Sequence, residues 1–183
     1  MNAITPQIFH DVDILGRVFA ERLLALIDQA KAAGRLFLLG CPGGRSPRPV
    51  YQAMGQALAK RPRDLSHLVI VMMDDYLVET GSGLDHVPEN SHFSCRRFAQ
   101  VEIVGVLNEA LAEGFRIPAA QVWFPDPRDP QAYDARIAEA GASTFSFSPR
   151  ERATAMWPSI QKGARATAVR ASCRWPKIPG ATT

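Results

Sequence analysis

The sequence predicts an α/β domain in which a parallel sheet carries helices on both faces. Two short apolar runs, "RLFLLG" and "HLVIVMM", read as strands buried on both sides. Amphipathic segments of helical period separate them. Each run ends in residues suited to chemistry: a glycine-rich loop after the first, a pair of acids after the second. Strand, helix, strand, helix in this order implies parallel crossovers, a Rossmann-like arrangement in which ligands bind at the carboxyl ends of the strands.

The elements follow in chain order. Residues 12–33 place apolar side chains at helical spacing, and Gly34 follows as a stop. "RLFLLG" is the first strand and "CPGGRSP" its loop. "RPVYQAMGQALAK" is a second helix, with Ser46 as N-cap and Pro47 at its first position. "HLVIVMM" is the second strand. "LVETGSGLDHVPEN" reads as a long polar loop. Asn90 or Ser91 is placed to cap a helix through Phe98, and residues 103–111 suggest another. "QVWF" is a short strand, and "DPQAYDARIAEAG" is a helix closed by Gly141. There is no internal repeat.

The 183 residues, 46% of them hydrophobic, suit one domain with a real core, or part of a larger one. No apolar run is long enough to span a membrane. The start, "MNAITPQIFHDVDILG", lacks the basic and apolar blocks of a secretory signal. Cys41, Cys95 and Cys173 form neither a CxxC spacing nor a disulfide framework, so a reducing cytoplasm is the expected setting. The net charge of +3 is unevenly spread. Residues 142–183 hold seven Lys/Arg against one Asp/Glu; the rest holds 14 against 17. The patterned part is therefore mildly acidic and gives no electrostatic reason to expect nucleic acid. His10, His67 and His86 make no metal-ligand spacing, and neither a metal nor a cofactor is expected. His92 reads as a surface or capping residue.

Two constellations stand at the strand ends. In "GCPGGRSPRPVY", Gly43 and Gly44 let backbone N–H groups approach an anion, and the following helix directs its positive end there. Arg45 and Ser46 add a guanidinium and a hydroxyl. A phosphate cradle and an ordinary strand-to-helix turn both fit this pattern. Cys41 beside it fits a packing residue better than a reactive thiol. In "MMDDYLV", alternation sends Asp74 and Asp75 to opposite sides. One acid can face the cleft as a general base while the other supports the loop. A solvated loop start is the plainer alternative. Tyr76 either meets substrate or covers the loop.

Taken together, these segments resemble the glucosamine-6-phosphate deaminase/isomerase and 6-phosphogluconolactonase family over residues 10–141. "GGRSPRPVY" (residues 43–51) is similar to the family's "TGSTPxxxY", and "MDDY" (residues 73–76) to its "LDEY". "ENSHFSCRRF" and "FPDPRDPQAYDARIAEAG" resemble the segments that follow. The lactonase branch usually has Arg after the acid pair, so Tyr76 leans toward the deaminase branch. The resemblance implies that Asp74 is the carboxylate that moves the C2 proton of a phosphorylated amino sugar. It implies that Gly43, Gly44, Arg45 and Ser46 hold the phosphate, with Asp75 and Tyr76 supporting. Arg45 stands where the family has Ser.

At Gly141 the period stops. The family continues with a strand and a "DGHIAFN"-like loop carrying the ring-opening His, and residues 142–183 contain neither. Shifted by one base, the same codons permit "GGIDLFLLASGASDGHVAFNP". Met156–Trp157 then forces Val and Trp157–Pro158 forces Ala. Later, "SCRWPKIPGATT" permits "VPLAEDTRRDN". A one-base deletion, or an equivalent sequencing error, accounts for the lost period, the charge switch and the absence of Leu after residue 141. In the shifted frame Ile160–Gln161 permits only Ser, Pro or Thr where the deaminases carry Glu. The competing explanation is a genuine basic tail that binds nucleic acid or membrane. The expected organisation is thus residues 1–141, the N-terminal part of a sugar-phosphate enzyme domain, and residues 142–183, an irregular tail. An exposed sheet edge, low stability and weak or no turnover are expected for such a chain. The expected partner is a phosphorylated sugar. Lactone hydrolysis, or a non-catalytic binder or remnant, are the alternative functions.

Overall fold

Asp11 opens the first helix: its carboxylate accepts the N–H groups of Asp13 at 2.6 Å and Ile14 at 3.3 Å. Such a cap contributes about 1 kcal/mol. The structure, a computed structural model, describes residues 8–140, 143–146 and 166–169. Helix α1 (Val12–Ala32) buries Gly16, Ala20, Leu23, Leu24, Ile27 and Ala30, a stripe of helical period. Gly34, at φ 64°, turns the chain at its end, as expected. Strand β1 (Phe37–Cys41) leads through the glycine loop to α2 (Arg48–Lys60) and then to β2 (Leu68–Met72). At Gly16 a Cβ would lie 2.8 Å from the Pro49 carbonyl oxygen, so α1 and α2 approach closely where no side chain intervenes.

β1 and β2 run parallel, pairing Leu39 with Ile70, and both are buried along their whole length. Successive residues feed opposite faces. Phe37, Leu39, Cys41, Leu68, Ile70 and Met72 pack against α1, α2 and the later helices. Leu38, Val69 and Val71 pack with Trp123, Tyr133 and Ile137 on the other side. Each fully buried Leu or Ile contributes about 1.5–3 kcal/mol. This two-sided burial explains the uninterrupted apolar runs, and the expected parallel sheet with helices on both faces is what forms.

The hairpin is a correction. Residues 77–90 were expected as a loop, yet β3 (Asp75–Thr80) and β4 (Gly83–His86) pair antiparallel. Asp75 and Leu77 point inward while Tyr76, Glu79 and Thr80 stay exposed. Few apolar positions therefore marked the alternation. Thr80 Oγ1 donates to the Gly83 carbonyl at 2.8 Å and closes the turn.

The next helix also differs. Ser94, not Asn90 or Ser91, caps it, its Oγ accepting the Arg97 N–H at 3.2 Å. α3 (Cys95–Phe98) runs directly into a π-helical stretch (Ala99–Gly105) and then α4 (Val106–Asn108). The two expected helices are one continuous element. At Gly105 a Cβ would lie 2.9 Å from the Gln100 carbonyl oxygen, so the widened turn takes glycine at its tight point.

β5 (Val122–Trp123) pairs parallel with β2, and α5 (Pro130–Glu139) follows, capped by Asp129 through the Ala132 N–H at 3.0 Å. Two strands lie in the segment expected to be irregular. β6 (Ser143–Ser146) pairs parallel with β1, and β7 (Ala166–Val169) antiparallel with β3. β6 lies on the edge of β1, giving the order β5-β2-β1-β6. Gly141, the expected helix stop, lies outside the described residues, as does the rest of the tail. Among the described residues no helix is long and apolar enough to cross a membrane.

Candidate active site

The carboxyl ends of β1, β2 and β5 lie side by side, because these strands are parallel neighbours. Tyr133 ties two of them together: its buried hydroxyl lies 2.9 Å from the Met72 carbonyl and 3.0 Å from that of Trp123. The Met73 N–H donates to the Cys41 carbonyl at 3.3 Å and joins the ends of β1 and β2.

The glycine loop opens from the end of β1. Gly44, at φ 98°, occupies the left-handed region that favours glycine. Gly44, Arg45 and Ser46 are exposed, and Gly43 is half-buried. Among the described residues, the backbone N–H groups of Gly43, Gly44, Arg45 and Ser46 enter no backbone hydrogen bond. Four donors are thus uncommitted on one turn, an arrangement suited to an anion. Ser46 does not cap α2. Pro47 takes the N-cap position without a side-chain cap, because the Arg48 N–H already donates to the Arg45 carbonyl at 3.2 Å. The Ser46 hydroxyl is left at the loop surface instead.

The two acids divide as alternation requires: Asp74 is exposed and Asp75 is 4% exposed. A Cβ on Gly43 would lie 4.0 Å from Asp74 Oδ1 and 3.4 Å from Cys95 Sγ. The structure therefore brings the glycine loop, Asp74 and Cys95 together. Asp75 faces the other way and anchors the hairpin. Its Oδ1 accepts the Tyr76 N–H at 2.9 Å, and its Oδ2 lies 2.7 Å from His86 Nδ1 and 3.6 Å from Arg96 Nε.

His86, Cys95 and Arg96 were not legible as neighbours of the acids. The register pairing Leu77 with His86 delivers the imidazole to Asp75, and Ser94 starts the helix that delivers Cys95 and Arg96. Burial, and then the nearby Asp74 and Asp75 carboxylates, push the Cys95 thiol up to about 12. It stays protonated at neutral pH and is no nucleophile. Burial likewise takes Cys41 up to about 12, so packing is its role. Burial, then Cys95 and Asp74, raise the Tyr76 hydroxyl. Tyr76 remains 37% exposed beside the acids.

On the β5 side a cavity of about 340 Å³ is lined by His86, Arg96, Phe124, Pro125, Asp126 and Arg128. The Arg96 guanidinium sits 5.1 Å from the Phe124 ring centre. Among the described residues no group of three His, Cys, Asp or Glu side chains is placed to hold a metal. Apart from that cavity, the glycine loop places uncommitted N–H donors beside an exposed carboxylate, Asp74.

The class defined by this architecture is a parallel α/β fold, and solved structures are similar to it. A monomeric glucosamine-6-phosphate deaminase, described as a missing link of the NagB superfamily, matches at TM-score 0.52 with 13% identity, covering 74% of this chain and 50% of that one. The 6-phosphogluconolactonase of Thermotoga maritima matches at TM-score 0.43 with 21% identity, over 70% of this chain and 50% of that one. The 6-phosphogluconolactonase of Trypanosoma cruzi matches at 0.48 with 16% identity, over 72% and 48%. The chain spans about half the length of these structures. The likeness at TM-score 0.52 establishes a shared fold. No family model and no curated protein matches the sequence.

Proposed function

We propose that the glycine loop and Asp74 bind a phosphorylated sugar and move the proton at its C2, the chemistry of a glucosamine-6-phosphate deaminase/isomerase. One observation carries the reading: the loop of uncommitted N–H groups at residues 43–46 approaches the exposed Asp74 carboxylate at Gly43, at the end of the same sheet. Gly43, Gly44, Arg45 and Ser46 hold the phosphate through backbone donors, the Ser46 hydroxyl and the Arg45 guanidinium. Asp74 takes the C2 proton of the open-chain sugar and returns it at C1; water then replaces nitrogen at C2 and ammonia leaves. Asp75 and Tyr76 support the loop. The shared fold supports this reading, as do the motifs of residues 43–51 and 73–76.

Residues 142–183 contain no His to match the ring-opening His that the resemblance implies, and weak turnover is expected of these 183 residues. The test uses the full 183-residue chain with glucosamine-6-phosphate, following ammonia release and binding for the wild type and Asp74→Asn. Binding is expected in both. The weak turnover is expected to fall at least ~100-fold in the variant. Robust turnover that survives Asp74→Asn overturns the assignment of the base, and absence of binding overturns the cleft. Hydrolysis of 6-phosphogluconolactone without ammonia release selects the lactonase alternative. Binding without any turnover marks a binder or an inactive remnant.

A further inference from the structure

Beside Asp74 stands a ladder of exposed aromatic rings. Phe93 meets Tyr76 edge to face at 5.7 Å and 84°, and meets His92 at 5.0 Å and 86°. Tyr76 is 37% exposed and Phe93 38%, and His92 is exposed as well. The rings come from two separate places, the start of β3 and the turn before α3. Single exposed apolar residues are ordinary, but three exposed rings in mutual contact beside a polar loop are a feature of ligand sites.

Their position is set by the backbone. Asp75 and Leu77 turn inward, so Asp74 and Tyr76 share the outward side of the chain. Cys95, which follows the His92–Phe93 turn, lies 3.4 Å from the Cβ position of Gly43. The rings and the glycine loop therefore approach the Asp74 region from different elements. A molecule with its phosphate on residues 43–46 and its body over Asp74 has these rings within its reach.

We propose that Tyr76, His92 and Phe93 form a stacking wall for the ring of the sugar phosphate. The ligand class is a hexose phosphate whose C–H face is apolar enough to shed water against aromatic carbon while its hydroxyls stay solvated. This inference rests on the phosphosugar reading and adds what the phosphate loop cannot supply, discrimination between a sugar phosphate and a bare phosphate. Edge-to-face packing holds Phe93 between its two neighbours, so the wall is preorganised and loses little freedom when a ring docks.

The test compares glucosamine-6-phosphate with inorganic phosphate by isothermal titration of the full chain. The wild type, Phe93→Ala and Tyr76→Leu are used, with thermal unfolding checked for each. The wild type is expected to prefer the sugar phosphate. The affinity ratio, sugar phosphate over phosphate, is expected to fall roughly 10-fold in Phe93→Ala, as the loss of part of a buried aromatic contact implies. A smaller fall in the same direction is expected for Tyr76→Leu. An unchanged ratio in either folded variant overturns the wall. Should Phe93→Ala fail to fold, Tyr76→Leu decides alone. A wild type that binds both ligands equally also overturns the wall and leaves the phosphate loop standing. Binding of neither overturns the phosphosugar reading and the wall with it.

Discussion

His86 Nδ1 lies 2.7 Å from Asp75 Oδ2, joining the first residue of β3 to the last residue of β4. The Asp75 side chain is 2% exposed and that of His86 16%, so the pair is held almost out of water. A buried carboxylate is tolerable only with such partners, and removing one partner strands the other. The Asp75–His86 contact fixes the hairpin whose preceding residue is Asp74.

Asp75→Ala is therefore expected to lower the unfolding free energy by about 3 kcal/mol. Asp74→Ala, at an exposed position, is expected to cost less than Asp75→Ala. Urea denaturation of the two variants checks this. Equal losses would contradict the division of labour between the adjacent acids.

Acid stability has a separate source at Asp64. Burial pushes its carboxyl up, but hydrogen bonds from Ser66 and Lys31 outweigh this and bring it down to about 2. A depressed folded-state value means the contribution is complete above the ordinary carboxylate value of roughly 3.9 and is lost as pH falls toward the folded one. Lys31, whose Nζ lies 2.9 Å from Asp64 Oδ2, supplies part of the effect. Lys31→Met is expected to be less stable than the wild type at neutral pH, with the gap narrowing below pH ~4. Denaturation midpoints across that range read the difference. A gap that widens on acidification would refute it.

The sheet was legible because β1 and β2 are buried on both faces, which leaves continuous apolar runs with no alternation to misread. α1, α2 and α5 were legible from their apolar stripes. The β3–β4 hairpin was not, since its outward side is polar and only Asp75 and Leu77 turn fully inward. The continuous helix through α3 and α4 was hidden by the π-helical turn, which breaks the expected spacing. In the site, the opposed directions of Asp74 and Asp75 followed from alternation alone. The partners of Asp75 could not, because His86 and Arg96 reach it only through a register and a cap set by long-range packing.

The proposed reading-frame shift near Gly141 is tested at the level of DNA. Resequencing across codons 140–142 is expected to find one additional base, restoring "SDGHVAFN" and with it a His for ring opening. A gene without the additional base would contradict the shift.

The most direct measurement is an amide-resolved NMR titration of the full chain with glucosamine-6-phosphate. The amides of Gly43, Gly44, Arg45 and Ser46 are expected to shift together with that of Asp74, since the proposal puts the phosphate of the molecule at one place and its C2 at the other. Saturating ligand that leaves these amides unmoved, or that shifts only residues elsewhere, would contradict the phosphosugar cleft.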